Sequence, residues 1–427
     1  MIKLPPDHPL RDYVNLEMHA RPADALRAPL RISYLALFPE SDSRDLEWRQ
    51  LRELVERFGQ SLPATTLNHF SADLGPFRLR WERHTEFVRY TFFVPGDGSG
   101  LDGPKALEAV PQDWLAGLGG RTMVATHASL EPFDEDRFDT DAIGARCFAG
   151  NPLIGASVKD GAAIALTDFR VHEDGFSRLL ILDHGLTARQ AGRLTQALLE
   201  LETYRLLALL ALPVARELSP QLGQYEQELT AVTAALTTSS EADEAPLLDR
   251  LTRLEAELES RGSAARFRFD AAGAYYDLVT RRIVDLRETR LRGLPTFREF
   301  IDRRLAPAMH TCSAARSRLE SLAERVARAN ELLATRVDIT REKQNQELLT
   351  SMNRRAQAQL RLQQTVEGLS IAAVTYYMSG LVGYVAKGLK SAGLAVDPEL
   401  AIAIAVPLIA LLLWRGVRRM RRRLHDR

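Results

Sequence analysis

Two stretches near the C-terminus carry no charged residue: Leu369 to Ala386 and Leu400 to Trp414. As a helix the first measures about 27 Å, close to the ~30 Å hydrocarbon core of a bilayer. The second is shorter, but Pro398 suits a first helical turn and Arg415 can snorkel to an interface. Pro407 lies inside it and is expected to kink it. The link from Lys387 to Glu399 is short, so the pair reads as a transmembrane hairpin. Its two helices are expected over about 366–388 and 398–415, within a membrane region 366–416.

The flanking charge sets the orientation. Arg415, Arg418, Arg419, Arg421, Arg422, Arg423 and Arg427 follow Trp414, all but the first within a basic tail at 417–427, and Arg354, Arg355 and Arg361 precede the first run. The link has only Lys387 and Lys390. The excess of positive charge on the cytoplasmic side of membrane proteins puts both termini in the cytosol. Residues 1–15 hold prolines and charges but no apolar core, so no signal peptide is expected there. The formal net charge is zero, which gives no field for nucleic acid. Cys147 and Cys312 lack metal-ligand spacing and read as reduced, buried thiols.

The region before the membrane reads as helix from about Thr187 to Gln364. Thr187 is a good N-cap. Leu206 to Leu212 is apolar but too short to span, and Pro213 is expected to end it. Leu222, Tyr225, Leu229, Val232 and Leu236 follow three-four spacing, as do Leu247, Leu251, Leu254 and Leu258. With the polar stretch Thr237 to Ala245 between them, they predict an antiparallel helical hairpin within 187–295. A further helix covers roughly 264–292, broken at Gly293-Leu294-Pro295. Across 296–365 a coiled-coil-like repeat (Leu319, Leu322, Val326, Ala329, Leu333) predicts a stalk running into the first membrane helix.

Residues 1–186 alternate strand and helix signals. Strands are expected over 31–38, 122–129, 162–169 and 177–183, with two more meeting near His84-Thr85 within 77–94. A helix is expected over 45–58, and His172-Glu173-Asp174-Gly175 looks like a hairpin turn. The predicted fold class is an α+β (or α/β) N-terminal domain, then a long-helix bundle and stalk, then a two-helix transmembrane hairpin.

The chain has no phosphate-binding glycine loop with its lysine and no His-Glu-x-x-His. Gly96 to Gly100 lacks the strand-glycine-helix setting of a dinucleotide site. Glu82, His84 and Glu86 alternate, so on a strand they share one face. That pattern fits a weak metal or acid-base cluster, or a solvated face with cross-strand pairs to arginine. Glu17 and His19 are a similar case, with capping as the plainer role. His127, His172 and His184 are isolated and read as structural. No enzyme activity and no cofactor are expected.

Several stretches together carry a resemblance. They include His8-Pro9-Leu10-Arg11, Met18-His19-Ala20-Arg21-Pro22, Arg78 to Phe87, Thr167 to His172, Gln190 to Leu194, Glu202-Thr203-Tyr204-Arg205, Thr365 to Ser370, Tyr376-Tyr377 and Gly380 to Tyr384. The chain resembles the bacterial domain-of-unknown-function family 3422, described as membrane-anchored proteins, over nearly its whole length. The resemblance implies residence in the bacterial inner membrane and assigns no catalytic residue.

The order of elements is also similar to that of the CorA-type magnesium channels. That likeness implies a homo-oligomer, a pentamer, with the first membrane helix lining a pore. Tyr376, Tyr377, Ser379, Gly380 and Gly383 are then the pore-lining candidates, and Lys387, Asp397 and Glu399 the outer-mouth candidates. A divalent cation would be the cargo and the lipid bilayer the other partner. The Gly-Met-Asn hallmark of that family is missing; Tyr377-Met378-Ser379 is the nearest echo and supplies no asparagine amide. A non-transporting, membrane-anchored sensory or interaction module is the alternative expectation.

Overall fold

A computed structural model describes residues 7–11, 14–15, 23–39, 44–63, 68–238, 243–392 and 397–425. The Glu17–His19 pair lies outside them. By contact density the chain divides into two compact units, one of residues 1–238 with 249–329, the other of 239–248 with 330–427.

The first unit is built on a nine-stranded sheet in the order β2-β3-β4-β1-β5-β8-β7-β6-β9. Its strands are β1 Leu30–Phe38, β2 His69–Asp73, β3 Arg78–Arg83, β4 Val88–Pro95, β5 Arg121–Pro132, β6 Ile154–Val158, β7 Ala163–Thr167, β8 Ser177–Asp183 and β9 Thr289–Arg290. Among the described residues only β5 and β8 run parallel; every other neighbouring pair of strands is antiparallel. The strands expected over 31–38, 77–94, 122–129, 162–169 and 177–183 are present, and residues 172–175 do turn β7 back into β8. Strands β2, β6 and β9 are additional. β6 reads Ile-Gly-Ala-Ser-Val, and its small residues hide the pattern.

Alternation along β3 and β4 gives the sheet two unlike faces. Leu79, Trp81, Tyr90 and Phe92 point to one side. There they pack on Leu51, Leu54 and Val55 of helix α1 (Arg44–Arg57), with Trp114 of α2 (Gln112–Ala116) edge-on to Tyr90 and Phe92. A second core gathers Ile143 and Cys147 of α3 (Thr140–Cys147) with Leu153, Leu166 and Leu180.

The opposite face is covered by α4 (Ala188–Leu209). Thr187 accepts the Gln190 N–H and Gln190 answers the Thr187 N–H, a reciprocal cap. Pro213 does not end this helix; the break falls at Leu210, and Pro213 sits in the first turn of α5 (Ala211–Thr238), where a missing N–H costs nothing. Gly192 explains how closely α4 docks: a Cβ there would lie 1.6 Å from the Asp24 carbonyl oxygen. The Leu26 N–H donates to the Ala188 carbonyl beside it.

α6 runs unbroken from Glu244 to Leu286, so the two helices expected over 247–258 and 264–292 are one. It ends at Arg287, whose φ of 48° is the left-handed turn that closes a helix. The chain then returns to the sheet edge as β9, beside Ala156 and Ser157. α7 (Phe297–Ser391) follows, with Pro307 inside it, and α8 (Pro398–His425) ends the described chain. Within the first unit, Leu222 and Leu229, Leu251 and Leu258, and Leu319 and Val326 are buried where α5, α6 and α7 meet. Arg318 pairs with Glu226 and Arg316 with Asp270 at their edges. Both cysteines are free and buried.

Candidate functional site

β3 reads Arg-Leu-Arg-Trp-Glu-Arg, and its polar face meets α4 rather than water. The Glu82 carboxylate accepts from Arg80 (3.0 Å) and from Arg89, its cross-strand partner on β4. Arg80 reaches Asp24 at 3.0 Å. Arg89 continues to Glu200 of α4 (3.3 Å), which also takes Arg282 of α6 (2.6 Å). Burial alone would raise the Glu82 carboxyl, but Arg89 and Arg80 outweigh it and hold it at about 2. The network thus joins the sheet, α4 and α6 through charges that water does not screen. A cavity of about 30 Å³ opens beside it, with the buried Thr195 hydroxyl on its wall. That space suits one water.

Several stretches that carry the resemblance meet around α4. Arg80 and Glu82 come from one, Gly192 from another. Thr203 bonds Tyr34 at 2.8 Å. Arg205 pairs with Glu202 and lies 4.5 Å from the centre of the Phe169 ring. The Thr203–Tyr34 and Arg205–Phe169 contacts are distant in sequence, whereas Arg205–Glu202 lies within one turn of α4.

Glu82, His84 and Glu86 do not gather. β3 ends at Arg83, so strand alternation stops before His84. His84 stacks on Phe87 at 4.4 Å in the turn, while Glu86 takes Arg268 and the Tyr275 hydroxyl of α6. Among the described residues no group of three His, Cys, Asp or Glu side chains is placed to hold a metal ion. The pairing of Glu82 with arginine is the cross-strand kind expected, on a face that is buried instead of solvated.

His127, His172 and His184 each have a defined neighbour. His127 Nδ1 bonds the Ser33 hydroxyl at 2.9 Å and the ring stacks on Phe176; burial, helped by Lys105, lowers its pKa to about 4. His172 Nε2 lies 2.9 Å from Asp168. His184 is edge-on to Phe133.

α7 and α8 each contain a stretch long and apolar enough to cross a membrane. Only 17% of that stretch is buried in α7 and none in α8. Tyr376 and Tyr377 are about three-quarters exposed, at 75% and 73%. The Ser379 hydroxyl donates to the Tyr376 carbonyl, and nothing lies near the Gly380 Cα hydrogens. Gly383 differs: a Cβ there would come 2.7 Å from Ile402 Cδ1, so this position faces α8. Lys387 and Glu399 are exposed. Asp397 caps α8, accepting the Glu399 N–H at 3.1 Å.

An α/β sheet unit followed by long helices and an apolar C-terminal helix defines the class of protein. The chain belongs to the family described as proteins of unknown function (DUF3422), whose model matches residues 6–424. No curated protein matches the chain.

Proposed function

We propose that this is a homo-oligomeric protein of the bacterial inner membrane, CorA-like in the order of its elements, with both termini cytosolic. Its last two helices cross the bilayer as a hairpin. The observation that carries this reading is the exposure of the apolar stretches. A core helix of a soluble protein buries its large side chains, each worth roughly 1.5–3 kcal/mol. Here Leu369, Leu381, Leu400, Leu408 and Leu412 all stand open. Lipid is the solvent that removes that cost.

In a cation-conducting oligomer Tyr376, Tyr377, Ser379 and Gly380 would border the axis. Gly383 would instead serve close packing against Ile402, which suits its place in a small-xxx-small pair with Ser379. The anchor reading, in which the hairpin conducts nothing, is favoured by the outer link. Asp397 is occupied as a helix cap, and Lys387 and Lys390 offset Glu399 there.

Membrane fractionation tests the shared part. The full chain is expected to resist alkaline carbonate and high salt, and a chain ending at residue 365 to leave the membrane. Extraction of the full chain by carbonate would refute the proposal. Particle symmetry in detergent and cation flux in liposomes then separate the readings. A symmetric ring with flux that falls in Tyr377→Ala supports the channel; a ring without flux supports the anchor; a monomer refutes the oligomer.

A further inference from the structure

We propose that a cleft in the first unit binds a phosphorylated small molecule, with Arg170, Arg303 and Arg304 taking its phosphate oxygens. The proposal stands independently of the membrane reading.

The cleft lies between α3, the loop after β7 and the first turns of α7. Its volume is about 630 Å³, within the range of sites for metabolites and nucleotides. The acids on its walls are mostly spent. Asp168 accepts from Asn151 at 2.8 Å and from the Arg170 N–H at 3.2 Å, and has His172 beside it. Glu299 is taken by Arg290 and by the Thr296 N–H at 3.2 Å. Among the described residues no carboxylate lies within ion-pair distance of Arg170, Arg303 or Arg304, which all line the cleft; Glu299, one turn before Arg303, feels its charge only at longer range. Asp141 is the one remaining acid on the wall.

Three unpaired guanidiniums in a concavity differ from three on a convex surface. Low-dielectric walls focus their field, and each planar fork matches two phosphate oxygens. Arg170 is also held in place. The preceding Phe169 is left-handed, at φ 52°, an uncommon state for an aromatic residue. Its N–H donates to the Thr167 hydroxyl and its ring is clamped by Arg205, Phe297 and Phe300. Strain kept by so many contacts fixes the loop that presents Arg170. Phe300, Leu294 and Pro295 give an apolar wall for the rest of a ligand. Free metabolites and lipid headgroups share the phosphate chemistry.

Titration calorimetry on the full chain in uncharged detergent tests this. The probes are inorganic pyrophosphate, ATP, adenosine and a short-chain phosphatidylglycerol. Saturable binding of pyrophosphate or ATP, without binding of adenosine, is expected. The triple variant R170A/R303A/R304A should weaken it by about tenfold or more. Arg253→Ala, which removes an exposed charge elsewhere, should leave it unchanged. Phosphatidylglycerol that competes with pyrophosphate assigns the source to lipid; failure to compete assigns it to a soluble ligand. The side chains are exposed, so the variants should keep the wild-type unfolding temperature. No saturable binding, or equal loss in Arg253→Ala and the triple variant, would overturn the proposal.

Discussion

Glu82 is the residue on which the first unit turns. It is 1% exposed and sits between two guanidiniums. Removing one member of a buried ion pair strands the other, at a cost of roughly 3–5 kcal/mol. Glu82→Gln is therefore expected to lower stability by that order, read from denaturant or thermal unfolding. The pH dependence has a definite sign. The folded carboxyl is depressed to about 2 from an ordinary 4.5. Its contribution is complete above pH 4.5 and is lost as pH falls from there toward 2. The gap between wild type and Glu82→Gln should close over that window, and a gap that stays constant would count against the network. The alternation Arg-Leu-Arg-Trp-Glu-Arg was legible as a strand. The lid over its charged side was not, because Glu200 stands 111 residues from Arg89. Local pattern tells which side of a strand is polar; it does not tell what comes back to cover it.

Among the elements, α4 does most to organise the sheet unit. Its start was legible from Thr187, since a cap is a local device. Its closeness to the chain at Asp24 was not, since a glycine inside a helical pattern looks merely unfavourable. Gly192→Ala is expected to push α4 off the Asp24 carbonyl, with a loss of about 1–3 kcal/mol or more from overpacking. Unfolding by urea measures it, and a neutral result would mean that the two backbones separate freely. The same limit explains the misplaced breaks. Pro213 tolerates a first turn as readily as it ends a helix. Gly293 and Pro295 follow the end of α6 by several residues, because a two-residue strand intervenes that no periodicity could announce.

On the scale of the whole molecule, residues 341–366 of α7 are exposed all round. Leu348, Leu349 and Met352 are among them, each more than 60% exposed. Most helical stability in proteins comes from packing an apolar face rather than from propensity, so a second copy of the chain is the natural cover in the proposed oligomer. Single substitutions Leu348→Cys, Leu349→Cys and Met352→Cys should give crosslinked oligomers in membranes, with the yield differing between faces. Uniform absence of crosslinks would exclude association along this stretch. The apolar runs at 369–386 and 400–414 were plain from composition alone, because a membrane-length stretch needs no partner to be recognised. The cleft beside Arg170 was invisible at that level. Arg170 stands 133 residues before the adjacent pair Arg303 and Arg304, and only the fold brings it beside them.

The two cysteines also acquire a use. Cys147 and Cys312 are both buried in the first unit, and burial pushes both thiols up, so little thiolate is present at neutral pH. Cys147 borders a cleft, whereas Cys312 lies among the helices, so an alkylating reagent reaches Cys312 chiefly when that unit opens. The rate of labelling at Cys312 then becomes a clock for opening that needs no engineered probe. It would read the effect of a bound ligand or a membrane on the resting protein without denaturing it.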